Sequence, residues 1–171
     1  IATGKGFSPS SLTNYLRNPI QFYYQRILGV RENEEVEENV ALNTLGTIIH
    51  EVLEKMYVPF EGKNIKIQVS DIDVMIQNIA SITLEKFKVV YKEGDITQGV
   101  NLISFEIAKR YVSNFLAYEL ACINNGDEII IEAIESKMAV AIDIPELQTP
   151  IQLIGTIDRI DVCNGVRRVV D

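Results

Sequence analysis

Hydrophobic positions recur at helical spacing through roughly the first three quarters of the chain and at strand spacing through the rest. Ser8-Pro9-Ser10-Ser11 predicts a helix start, with Ser8 as cap and Pro9 in the first turn. That helix, through Leu12 and Leu16, should end before Pro19. A second short helix from Pro19 carries Phe22, Tyr23, Tyr24, Ile27 and Leu28 and stops at Gly29. The clearest amphipathic helix runs from Leu42 to Tyr57, where Leu45, Ile48, Ile49, Val52, Leu53 and Met56 form one apolar stripe closed by Pro59. A loop at Glu61–Asn64 and a short extended piece lead to Ser70, which pairs with Asp73 as a capping box. The helix it opens reaches about Tyr91, and Glu93-Gly94-Asp95 breaks it. A longer helix from about Gln98 to Asn124 ends at Asn125-Gly126. Beyond it the pattern changes to strands over Glu128–Ser136, Lys137–Asp143 and a final hairpin, Ile151–Asp171. Helices followed by an antiparallel meander predict an α+β fold, a mixed, antiparallel-led sheet flanked by helices.

The hairpin carries its own register. Asn164-Gly165 is a strong two-residue turn signal, which makes Cys163 and Val166 partners and sets Asp158 opposite Asp171. Directly opposed side chains have Cβ atoms about 4.5–5.5 Å apart, and like charges there are destabilising. A divalent cation shared by the two carboxylates is the commonest remedy; a bulge or a frayed end is the ordinary alternative. Asp161 falls opposite Arg168, three residues on and toward the other face, as a cross-strand ion pair. Gly155 permits a close backbone approach or a bulge near Asp158.

Composition adds bounds rather than a function. The 171 residues are most simply one domain, 47% hydrophobic and 23% charged, as in ordinary globular chains. No apolar run approaches the ~18 residues of a membrane span, and no signal peptide precedes Phe7, so no membrane partner is expected. Cys122 and Cys163 have no metal-type spacing, which fits a reducing, cytoplasmic setting. A net charge of −8 argues weakly against nucleic acid, but Glu32, Glu34, Glu35, Glu37 and Glu38 crowd one segment that reads as a solvated loop. Opening on Ile and stopping on a strand, the chain reads as a piece of something larger.

His50 is the only histidine and sits beside the apolar stripe of its helix. A lone helical histidine is more often packing or surface than ligand. If the Asp pair holds a cation, however, an imidazole over the sheet is a natural third donor, and two carboxylates with one His suit Mg²⁺ or Mn²⁺. Glu54, one turn on, would orient His50 or be simply exposed, and Glu135 would assist from the neighbouring strand or be solvated. Tyr15, Phe22, Tyr23 and Tyr24 are read as core in preference to base-stacking, while Arg17, Arg26 and Arg31 line the same region and suit phosphate contact. No G-x-S-x-G, G-x-x-x-x-G-K, H-E-x-x-H or C-x-x-C is present.

Four segments resemble one family in the right order. Leu45-Gly46-Thr47-Ile48-Ile49-His50, continuing to Leu53-Glu54, is similar to the L-G-x-x-x-H-x-x-L-E helix of RecB/AddB-like nucleases in the PD-(D/E)XK superfamily. Gly155–Asp161 resembles their G-x-I-D-R-I-D strand, Val169-Val170-Asp171 the start of V-V-D-Y-K, and Phe7–Tyr15 with Pro19 their N-terminal element. The resemblance implies a restriction-endonuclease-like core over 1–171, incomplete at its C-terminus: helices at 7–60 with the His-bearing one, a helical insert at 70–125, and a meander at 128–171. It further implies a Mg²⁺-dependent deoxyribonuclease, an exonuclease working with a helicase domain or subunit on DNA ends in recombinational repair. His50, Asp158 and Asp171 would be its metal ligands and catalytic residues, with Glu54 and Glu135 auxiliary and Tyr15, Arg17, Arg26 and Arg31 weaker DNA contacts. The family lysine would lie two positions past Asp171, so the 171 residues alone are expected to cleave weakly or not at all. Asn18 stands where iron–sulfur members place a cysteine, so no such cluster is expected. The competing expectation is an inactive nuclease-fold module that holds DNA or docks a helicase.

Overall fold

The computed structural model describes residues 6–30, 40–91, 96, 98–146 and 150–171. Helices α1 (Pro9–Arg17), α2 (Pro19–Phe22), α3 (Leu42–Tyr57), α4 (Val69–Val90) and α5 (Gly99–Asn124) precede strands β1 (Ile129–Ile142), β2 (Ile151–Cys163) and β3 (Val166–Val170). The strands form one antiparallel sheet in the order β1-β2-β3, so the α+β expectation holds. Contacts divide the chain into two units, Ile1–Glu35 with Ser136–Ile157 and Val36–Glu135 with Asp158–Asp171. The boundaries therefore fall just after Glu135 in β1 and just before Asp158 in β2.

In the first unit Ser8 caps α1 as expected, its Oγ accepting the Ser11 amide at 3.2 Å. Asn18 caps α2 by accepting the Gln21 amide at 3.1 Å. The chain then widens into a π turn over Tyr23–Ile27 and leaves through Gly29 at φ +69°. Phe7 pairs in parallel with Leu153, exchanging bonds with Gln152 O at 2.8 Å and Ile154 N at 2.9 Å. Gly6 precedes it at φ +65°, where a Cβ would stand 2.8 Å from Ile154 Cγ2, so only glycine fits. The aromatics are less buried than their spacing suggested. Tyr15 packs edge-on against Phe22, yet Tyr15, Tyr23 and Tyr24 are each half exposed, because helices this short cannot cover so many rings. Gly155 shows neither a positive φ nor a close neighbour, so the approach expected there is not made.

The second unit holds the core. Along α3, Leu45, Ile48, Val52 and Met56 are buried, the stripe read from the sequence, with Ile49 and Leu53 partly buried beside it. α3, α4 and α5 pack on one another through Ile72, Met75, Ile79 and Phe87 of α4 and Ala108, Val112 and Leu116 of α5. Ile129 and Ile131 close this core from β1. Each such aliphatic or aromatic side chain contributes about 1.5–3 kcal/mol on full burial. The cap of α4 lies two residues earlier than expected. The Lys66–Ile130 bridge and the Ile67 N–H to Ile129 O bond (2.9 Å) keep the chain extended, and Gln68 and Asp71 form the capping box instead of Ser70 and Asp73.

β1 also departs from expectation. It runs unbroken from Ile129 to Ile142, with no break between Ser136 and Lys137. Glu135 instead adopts φ +48°, a left-handed conformation that distorts the strand at this point. The carboxylate of Glu61 accepts the Ile134 amide at 2.8 Å, satisfying a donor at the point where the strand distorts. The hairpin follows its predicted register, with Cys163 paired to Val166, Asp161 to Arg168 and Arg159 to Val170. Asn164 and Gly165 both have positive φ, at 52° and 82°. The Asn164 side chain also bonds Glu128 N (2.9 Å) and Asp127 (2.7 Å), tying the turn to the start of β1.

Candidate active site

Four elements of the second unit deliver ionisable side chains to one place. α3 presents His50 and Glu54, one turn apart on the same side. β1 presents Glu135 at its left-handed residue, β2 presents Asp158, and Asp171 follows β3 directly opposite. His50 Nδ1 donates to Asp158 Oδ2 at 2.7 Å, with the imidazole half exposed and Asp158 more covered. The register that pairs Arg159 with Val170 brings Asp171 across from Asp158, close enough for the two carboxyl groups to interact.

The electrostatics are those of crowded acids. Burial raises the pKa of Asp158; His50 pulls it back, and the hydrogen bond and charge of Asp171 raise it again. Glu135 is raised too, by burial, then by Asp158 and by Glu54, with His50 opposing. Glu54 thus acts on Glu135 through its charge and makes no hydrogen bond to His50 among the described residues.

Two hollows meet at this cluster. A cavity of about 220 Å³ has apolar walls from Ile49, Leu53, Phe115 and Ile134, and His50, Asp158 and Asp171 also line it. A more open depression of about 710 Å³ lies along α3 past Gly46, Thr47 and Glu51. His50, Glu54 and Glu135 border both.

Among the described residues, no three His, Cys, Asp or Glu side chains already surround a common point as a metal cage. The donors are gathered but drawn onto one another, imidazole against carboxylate and carboxylate against carboxylate. Their chemistry nonetheless suits a hard divalent cation: they are mainly oxygen donors, and each raised carboxylate gains if a positive charge arrives.

Next to this cluster lies one of which the sequence showed only a cross-strand ion pair, Asp161 with Arg168. Asp161 is fully buried and accepts both Nε and Nη2 of Arg168 at 2.8 and 3.1 Å. Arg159 Nη2 donates to the same carboxylate at 2.7 Å and to Glu119 of α5, and the Tyr57 hydroxyl donates to Glu119 as well. The Arg159 guanidinium sits over the rings of Tyr57 and Phe115, 4.7 and 5.4 Å from their centroids. Burial, reinforced by Glu119, drives the Tyr57 pKa far up, so it stays a donor. Burial alone would weaken the charge of Arg159, but Glu119, with Tyr57 and Asp161, more than offsets it. The available signal was Glu119 in the buried 104-108-112-116-119 row of α5, which the helix's weak amphipathicity obscured.

Tyr15, Arg17 and Arg26 belong to the first unit, and Arg31 lies outside the described residues. No described helix is long and apolar enough to cross a membrane.

Residues 6–171 match the PD-(D/E)XK nuclease superfamily. An uncharacterized protein of Rickettsia conorii is 24% identical over 155 residues, covering 91% of this chain. The aligned stretch is 17% of that relative's length.

Proposed function

The chain belongs to the PD-(D/E)XK nuclease superfamily, a family of hydrolases that cut nucleic acid, and from that premise we propose that it is the DNA-cleaving core of a RecB/AddB-like nuclease. The observation that supports this most is the convergence of His50 on the Asp158/Asp171 pair. The sequence named these three residues as ligands, and they come from three separate elements. His50, Asp158 and Asp171 would hold Mg²⁺ or Mn²⁺, the His50–Asp158 bond opening to admit it. Bound there, the cation would supply a Lewis acid for a phosphate oxygen and an acidified water as nucleophile.

The chain's own residues do the rest. Asp158 and Asp171 hold their charges on adjacent strands, so their separation is set by the ladder rather than by flexible loops. Until a cation enters, His50 holds Asp158 in place through Nδ1–H. Glu135, with its proton affinity raised, is suited to take a proton from water, and Glu54 strengthens that tendency. Tyr15, Arg17, Arg26 and Arg31 are the proposed contacts to DNA. By the resemblance, a lysine two positions past Asp171 completes the site, so the 171 residues alone cleave poorly. A helicase partner, exonuclease action on DNA ends and a repair role also rest on that resemblance.

The test uses the chain extended through the lysine, with linear double- and single-stranded DNA and Mg²⁺. Degradation should be present in the parent and lost in His50→Ala and Asp158→Ala. A folded, lysine-bearing chain that leaves both DNAs intact would reject cleavage and favour a module that only holds DNA or a partner.

A further inference from the structure

We infer that Arg159, held by Glu119 and Tyr57, is a positioning residue: it locks α3 onto β2 and so sets His50 against Asp158. The inference deepens the nuclease reading where it concerns catalysis, while its geometric half stands without it. α3 is fastened to β2 at two points. One is the His50–Asp158 bond, half open to solvent. The other is buried, running from Tyr57 through Glu119 to Arg159, whose side chain is only 7% exposed. The two points are matched along both elements. Tyr57 lies seven residues beyond His50, two turns on along the same side of α3, and Arg159 directly follows Asp158 on β2.

A single exposed hydrogen bond does not hold a helix in register, because water replaces either partner at little loss. Sliding α3 by one residue would displace His50 by about 1.5 Å and turn it by about 100°. The buried fork resists that slip, since any shift would leave Glu119 or Arg159 charged and unpaired inside the protein. Stability alone does not account for the arrangement. Nε and Nη1 of Arg159 have no hydrogen-bond acceptor among the described residues, and the guanidinium lies over the rings of Tyr57 and Phe115, so apolar residues replacing Arg159, Glu119 and Asp161 together would fill the space without stranding two donors. What an apolar residue would not supply is a fixed direction, and fixing register is the best-attested use of buried polar networks. Asp161, pinned by Arg168 of β3, accepts from the same Arg159 Nη2 and joins the strand that leads to Asp171.

Because His50 is the only histidine, ¹⁵N-histidine labelling yields a single pair of ring nitrogens to follow. In the parent chain at neutral pH without metal, Nδ1 should show the shift and slow proton exchange of a donor bonded to carboxylate. In Arg159→Met, which keeps bulk but removes the fork, both nitrogens should move toward free-imidazole values and exchange should accelerate. If Arg159→Met does not fold, Tyr57→Phe carries the test and should shift the signals the same way by less. Unchanged ring nitrogens in a folded variant would overturn the inference, and Arg167→Ala on the outer surface should leave them unchanged. In the lysine-bearing chain, Tyr57→Phe should lower kcat about tenfold, the scale of losing a ligand's supporting contact, with KM for DNA unchanged. Equal rates would overturn the catalytic half. An inactive parent that keeps its bonded His50 signal would instead reject the nuclease reading and leave the clamp standing.

Discussion

Asp158 and Arg159 are neighbours on β2, yet they belong to two charge clusters built on opposite rules. Around Arg159 the charges balance: two arginines, 159 buried and 168 partly exposed, face two buried carboxylates, 119 and 161. Around Asp158 they do not. Asp158, Asp171, Glu135 and Glu54 share one imidazole, and Asp158 and Glu135 respond by holding protons more tightly. The first arrangement satisfies the requirement that a buried charge be paired. The second leaves negative charge unspent where solvent and ligand can reach it. One residue of separation marks the change from balanced to unbalanced charge, because residue 159 turns toward the rings of Tyr57 and Phe115 while residue 158 meets the exposed His50.

The contrast is open to direct attack. The largest effect is expected from Asp161→Ala, which removes the buried carboxylate that two arginines share and leaves Arg159 with Glu119 alone: about 3–5 kcal/mol of stability should be lost, read from denaturant unfolding. Tyr57→Phe removes one hydrogen bond and leaves a Glu119 oxygen unsatisfied, so about 1–3 kcal/mol should go in the same measurement. Asp158→Asn should act in the opposite sense. With chelator present it relieves repulsion and should raise Tm by roughly 1–3 °C, the scale of a fraction of a kcal/mol. Mn²⁺ should raise the Tm of the parent and leave that of Asp158→Asn unmoved; a metal response retained in the variant would remove Asp158 from the ligand set.

The pH dependence has a definite sign. The folded pKa values of Asp158 and Glu135 are raised, so their contribution to stability is full below the ordinary carboxylate range and is lost as pH climbs through the raised values. The advantage of Asp158→Asn over the parent should therefore shrink as pH falls toward 4, and an advantage that grew would contradict the crowding. The smallest effect belongs to Arg167→Ala. It breaks the exposed pair with Glu132 and should change stability by less than about 1 kcal/mol.

Much of this was readable in the chain because it depends on local rules. The apolar stripe of α3, the cap at Ser8 and the paired partners from Cys163–Val166 to Arg159–Val170 follow from periodicity, capping chemistry and a two-residue turn. The α4 cap was misplaced by two residues because a tertiary bridge at Lys66, not local propensity, fixed where extension ends. The distortion at Glu135 shows only in the structure, where buried positions run 129, 131, then 134, a break in the alternation of two. Reading it required Glu61, distant in sequence, to supply the carboxylate for Ile134 N–H.

The sequence by itself determined that two aspartates would face each other across a hairpin, since a turn of fixed length leaves a strand ladder no freedom of register. It also set His50 and Tyr57 on one side of one helix, because 3.6 residues per turn leave no other choice. Only the tertiary structure decided that this helix would bring His50 onto Asp158, that Glu135 would join them, and that Asp161 would be buried rather than exposed. Those outcomes depend on contacts between elements tens of residues apart, whose energies are set by burial and charge pairing that no local pattern encodes.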